Sequence, residues 1–135
     1  MNYWLVKSEP SVWSWDQQVA KGDKGEAWTG VRNHTAKLNL MKMKKGDRAF
    51  FYHSVTGKEI VGIAEVSEAG LPDPRDGAWA AVKVRPVRPL ERPVTLAEIK
   101  ADDSLAEMEL VRLSRLSVAE IRPDEWDRVL ELAQA

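Results

Sequence analysis

Apolar and polar positions alternate between two periods along this chain. Tyr3-Trp4-Leu5-Val6 is an apolar run suited to a strand, and Lys7-Ser8-Glu9-Pro10 ends it. Ser14 and Gln17 stand three apart as a capping box, which predicts a short helix that stops near Lys21-Gly22. The polar, glycine-bearing stretch 22–27 then reads as a loop that delivers Trp28 to the surface. Asn33 suits the N-cap of a helix from His34 to about Met43, with Ala36, Leu40 and Met43 as its buried stripe. Gly46-Asp47 turns the chain into a strand from Arg48 to His53. A hairpin at Val55–Glu59 leads to a third strand, Ile60 to Val66.

Gly70, Pro72, Pro74 and Gly77 mark 67–77 as a loop. Trp79 to Val87 alternates as a fourth strand, and Pro86 and Pro89 place its end at a sheet edge. Thr95/Glu98 and Ser104/Glu107 are further capping boxes that predict short outer helices. Arg115 to Val118 reads as a short strand. Pro123, followed by Asp124 and Glu125, opens a terminal helix to about Ala133 with Trp126, Val129 and Leu130 on its apolar side. Short, mostly hairpin-connected strands with peripheral helices predict an α+β fold built on a small, mixed, twisted β-barrel.

The 135 residues are expected to form one soluble domain, 1–135, with 44% apolar and 30% charged residues. No cysteine is present, which excludes disulfides, thiolate metal sites and a cysteine nucleophile and fits a reducing cytoplasm. Apolar runs fall well short of the roughly 18 residues of a membrane span, and the first residues lack signal-peptide features. A formal net charge of −1 excludes a protein that coats nucleic acid by bulk charge, so any such contact needs local basic patches.

Phosphate-loop, zinc-helix and nucleophile-elbow motifs are absent, and neither a cofactor nor a metal is expected. His53 and Ser54 are neighbours on a strand, point to opposite faces, and are poorly placed as a base and nucleophile. Six tryptophans exceed the needs of a core this size. Trp4, Trp15, Trp79 and Trp126 read as structural, whereas Trp28, flanked by Glu26, Thr29 and Gly30, reads as a stacking platform for a planar ring. Lys42, Lys44, Lys45 and Arg48 form one basic run, and Lys83, Arg85, Arg88 and Arg92 form a second.

The blocks Tyr3–Pro10, Trp28–Asn33, Lys45-Gly46-Asp47, Phe51-Tyr52-His53-Ser54, Ile60–Val66, Pro72-Asp73 and Arg115–Val118 resemble, in order and spacing, those of the EVE domain, a relative of the PUA-like, YTH and ASCH domains. The resemblance implies a PUA-like barrel with a ligand cavity that reads modified bases, modified cytosine in DNA above all. Carried over from the similar YTH domain, Lys7-Ser8 looks like the end of its first strand, Trp28 like its first cage tryptophan and Thr29 like a base contact. The second cage aromatic would fall in 67–73, where this chain has Ala69, Gly70 and Leu71 and no aromatic: either Leu71 and Pro72 give a thinner apolar wall, or the base is held differently.

The expected base pocket comprises Trp28, Thr29, Asn33, Lys7, Ser8, Ser54, His53, Leu71, Pro72 and Asp73. Arg32, Lys42, Lys44, Lys45, Arg48 and Arg115 are the candidates for the nucleic-acid backbone. The expected partner is nucleic acid with modified bases, DNA before RNA. A nucleotide-like small-metabolite sensor is one alternative. Another is an ASCH-like hydrolase of modified nucleosides, using Lys7, Glu9 or Asp73. Oligomeric state is left open by the sequence.

Overall fold

The computed structural model describes residues 2–28, 34–73 and 76–134; at positions 23, 27, 34, 71–73 and 76–81 the description extends to the backbone alone. In chain order the elements are β1 (Tyr3–Ser8), α1 (Trp15–Lys21), a 3-10 turn, β2 (Glu26–Trp28), α2 (His34–Lys42), β3 (Arg48–His53), β4 (Glu59–Asp73) and β5 (Asp76–Thr95). They continue with α3 (Leu96–Ala101), a second 3-10 turn, α4 (Glu109–Arg112), β6 (Val118–Ile121) and α5 (Pro123–Gln134). The six strands form one sheet in the order β2-β5-β4-β3-β1-β6. β1 and β3 run parallel and the other pairs antiparallel. The parallel pair follows from the long crossover between β1 and β3, which holds α1, β2 and α2.

The expected α+β architecture is what the chain adopts. Among the described residues no ladder joins β2 to β6, so the sheet is not closed by strand pairing. Helix α2 packs against both β5 and β6 and so bridges the two flanks of the sheet. Asn39 fixes it there, with its buried amide donating to the Val118 carbonyl at 2.7 Å. Ala36, Leu40 and Met43 are buried as their spacing requires.

Several boundaries differ from expectation, each for a physical reason. Of the loop expected at 67–77, residues 67–73 continue β4 and residues 76–77 open β5; Pro74 lies outside the described residues. Repeated register shifts along this hairpin absorb Gly70 and Pro72 as bulges. Pro86 and Pro89 are register partners of Ala64 and Gly62 on β4 and lie beyond the three residues that β2 pairs with β5, where β5 has no second ladder among the described residues. The loop at 22–27 ends in strand β2, because Glu26–Trp28 find partners in Val82–Val84. Ser104 caps no helix: the Asp102 carboxylate accepts from its backbone N–H and wins the cap. The last strand starts at Val118, three residues later than predicted, and Arg115–Ser117 form the turn before it.

The capping boxes at Ser14/Gln17 and Thr95/Glu98 are both formed. Arg92 binds the Glu98 carboxylate at 2.6 Å and, with the Thr95 contacts, holds its pKa down to about 2. On one sheet face Trp126 of α5 stacks between Tyr3 (4.4 Å) and Phe50 (3.9 Å). Trp15 covers the opposite face over Gly62, where a Cβ would stand 2.5 Å from the indole. Trp4, Trp15 and Trp126 are therefore core residues, as read from sequence; the Trp79 side chain lies outside the described residues.

Candidate nucleic-acid interface

Trp28 ends β2 and does not stand free on the surface: its residue is 9% exposed. Phe51 of β3 meets it edge-on, with ring centroids 5.7 Å apart and planes at 85°, and Phe51 in turn touches Trp15 and His53. The polar neighbours of Trp28 in sequence concealed this, because the apolar contact comes from β3. Thr29, Arg32 and Asn33 follow directly and lie outside the described residues. The side chains of Leu71, Pro72 and Asp73 do also, although their backbone is placed in β4.

Ser8 and His53 are register partners on β1 and β3. Both spend polar atoms on the segment that leads into α1. The Ser8 hydroxyl donates to the Trp13 carbonyl, and His53 Nε2 accepts the Trp15 backbone N–H at 3.0 Å. Gln18, which the sequence reading passed over, completes this bracing. It is fully buried, accepts from Trp13 Nε1 at 3.0 Å and donates to the Val84 carbonyl at 3.0 Å. An apparent polar residue on an otherwise ordinary short helix gives little signal of such a role.

The His53 contact makes stability depend on pH. Burial pushes the imidazole below its ordinary pKa, against the opposing pull of Glu59 and Asp16, and an accepting Nε2 requires the neutral ring. Because the folded pKa is lowered, its contribution is complete above the unfolded value of about 6.5 and is lost as pH falls through the folded value. Thermal melts should show Tm falling between about pH 7.5 and about pH 5.5, whereas His53→Gln, whose amide oxygen can accept the same N–H, should be flat there. A wild-type Tm unchanged over that interval would contradict this.

Lys7, Ser54 and Arg115 come together. They line one open cleft of about 590 Å³ with Glu9, Val55, Lys58, Ser114 and Ser117. Three segments are tied at this point. The Ser54 N–H donates to the Ser8 carbonyl, the Lys7 N–H to the Ser117 carbonyl, and Lys7 Nζ to the Ser114 carbonyl at 2.8 Å. The Lys7 ammonium also stands 5.9 Å from the Tyr52 ring centroid, and burial lowers its pKa. The Thr56 N–H donates to the Ser54 carbonyl at 2.7 Å across Val55, whose φ is +68°. That is the rare, strained form of the γ-turn, and a β-branched residue makes it costlier.

The remaining candidate cations lie elsewhere. Lys42, Lys44, Lys45 and Arg48 sit where β3 begins, and the cleft sits where it ends, roughly 17 Å away for a six-residue strand. Lys42 pairs with Glu120 at 3.1 Å and Arg48 with Glu65 at 3.3 Å. Along β5, Arg85 pairs with Glu65, Arg88 with Glu91 and Arg92 with Glu98. Lys58 was not singled out in sequence; only the turn geometry brings it to Lys7 and Arg115.

A small α+β module of mixed sheet and peripheral helices, with a ligand-sized basic cleft at its strand ends, has the make-up of a PUA-like binding domain. The chain belongs to the EVE domain family, whose sequence profile matches residues 2–132. Rpa0253 from Rhodopseudomonas palustris is 57% identical, with 99% of this chain and 94% of that chain covered and a TM-score of 0.96. Thymocyte nuclear protein 1 of Gallus gallus is 32% identical, over 98% of this chain and 69% of the relative. Human THYN1 protein, solved in complex with 5-methylcytosine containing DNA, is 30% identical over 100% of this chain and 99% of that chain, with a TM-score of 0.92. Among the described residues no helix is long and apolar enough to cross a membrane, and no group of three potential metal ligands is present.

Proposed function

We propose that this EVE domain binds DNA that contains 5-methylcytosine, and that it reads the modified base in a pocket with Trp28 as one wall. The observation behind this reading is the likeness, over the whole chain, to human THYN1 bound to 5-methylcytosine containing DNA. The methylated base leaves its stack at a cost of a few kcal/mol. Stacking on an aromatic side chain returns about 1–3 kcal/mol. Thr29, Asn33 and Asp73 supply groups for the base edge, and Leu71 and Pro72 an aliphatic wall for the methyl group. Ser8 and His53 act on the pocket by fixing Trp13 and Trp15. This is a binding function without turnover, carried out in the reducing compartment that a cysteine-free chain suits.

Binding to a fluorescent duplex with one 5-methylcytosine, measured against salt, tests the reading. Affinity should fall steeply as salt rises, since phosphate contacts release counterions. Free 5-methyldeoxycytidine should compete weakly and be recovered unchanged. A salt-independent affinity for the nucleoside equal to that for the duplex would make the chain a metabolite sensor, and conversion of the nucleoside would make it an enzyme.

A further inference from the structure

We propose that the cleft between Lys7, Lys58 and Arg115 is a phosphate track, which holds successive phosphodiesters of the DNA strand whose base is read beside Trp28. This inference rests on the DNA-binding reading above and adds to it the path of the strand. The chain has 20 basic and 21 acidic residues, and many of its cations meet carboxylates. Arg48 and Arg85 share Glu65, Arg92 holds Glu98, Lys42 holds Glu120, and Arg128 holds Asp102 and Glu131.

The cleft gathers cations that stand outside these pairs. Lys7, Lys58 and Arg115 face one carboxylate, Glu9, and neither Lys58 nor Arg115 makes an ion pair among the described residues. Ser54, Ser114 and Ser117 add hydroxyls of the kind that bind phosphate oxygens. About 590 Å³ exceeds the needs of a single ion and suits a nucleotide-sized group.

The turn that forms one wall is strained, with positive φ at Val55 (+68°) and Lys58 (+47°), the two non-glycine residues with positive φ among those described. Strain of this kind gathers at ligand clamps, where the surrounding structure holds it. Here the surrounding ties are the Ser54–Ser8 bond on one side and the Leu96 N–H donated to the Lys58 carbonyl on the other. On this assignment Lys7 and Ser54 serve the backbone rather than the base edge.

The test is fluorescence anisotropy of the 5-methylcytosine duplex over a salt series, with wild type, Arg115→Gln, Lys58→Gln and the double variant. Lys100→Gln, exposed on α3, is the control. Each lost phosphate contact should flatten the log–log salt slope by about 0.9 and weaken binding on the order of eightfold at 0.1 M salt. The preference for methylated over unmethylated duplex should stay as in wild type, because phosphate contacts carry no base information. If wild type binds and discriminates while the variants keep its slope and affinity, the track is wrong and the reading stands. If the variants lose methyl preference at an unchanged slope, the cleft reads the base and the track is again wrong. Wild type that fails to bind methylated DNA overturns the reading and the track with it.

Discussion

Trp28→Ala should weaken binding to methylated DNA by about 5- to 150-fold, the equivalent of losing one aromatic stacking platform worth about 1–3 kcal/mol. The same variant should lose about 3–5 kcal/mol of folding stability, because it empties a buried indole site against Phe51. An exposed platform would be removed without harm to the fold; this one is 9% exposed, so the two losses arrive together. A domain of this class has roughly 5–15 kcal/mol in all, so binding has to be measured on cold protein whose circular dichroism is native. Trp28→Phe separates the effects, since it keeps an aromatic edge for Phe51 while shrinking the stacking surface. Its stability should fall by less than that of the alanine variant, and its affinity should lie between those of alanine and wild type. Full affinity in folded Trp28→Ala would show that the indole is only a core residue.

Asp47→Ala should produce the largest loss of stability without a loss of binding. Asp47 is 4% exposed, and its carboxylate accepts from Trp4 Nε1 at 3.0 Å, from the Lys44 N–H at 3.0 Å and from the Asn2 N–H at 3.2 Å. It thus ties the start of β1 to the turn before β3 and satisfies the indole of a fully packed tryptophan. Alanine leaves those donors without an acceptor in the same place. One orphaned buried donor costs about 1–3 kcal/mol, and bonds to a charged acceptor stand at the upper end, so about 3 kcal/mol is expected in urea unfolding. The base pocket and the cleft do not involve Asp47, so the folded variant should bind methylated duplex as wild type does. A change of less than about 0.5 kcal/mol, the range of ordinary surface substitutions, would contradict this account of the β1–β3 junction.

What could be read in advance divides along the range of the interactions. β3 was bounded as Arg48–His53, α1 by its capping box, and α2 by the Ala36, Leu40, Met43 stripe, because each rests on contacts within a few residues or on simple periodicity. The hairpin of β4 and β5 was cut short, because Gly70, Pro72 and Gly77 signal a break locally while cross-strand pairing with bulges overrides it. Strand β2 is three residues long and exists through its partners Val82–Val84, which no local pattern reveals.

The binding site follows the same division. The aromatic and polar residues of the Trp28–Ser54 stretch were legible by type, but the burial of Trp28 under Phe51 was not. Nor was the meeting of Lys7 with Ser114 and Arg115, 107 positions from Lys7 to its bonded carbonyl, because it depends on β6 lying beside β1. Ser8 and His53 stand out as pocket candidates from their neighbours in sequence; their hydrogen bonds to Trp13 and Trp15, which brace the segment that leads into α1, do not.

The central claim is that a methyl group on cytosine is recognised. Its most direct test is the ratio of dissociation constants for two duplexes identical but for one 5-methylcytosine, measured by anisotropy at a single salt concentration. Burying one methyl group contributes about 0.8 kcal/mol, so the methylated duplex should bind at least about fourfold more tightly. Equal affinity for the two duplexes would contradict the account.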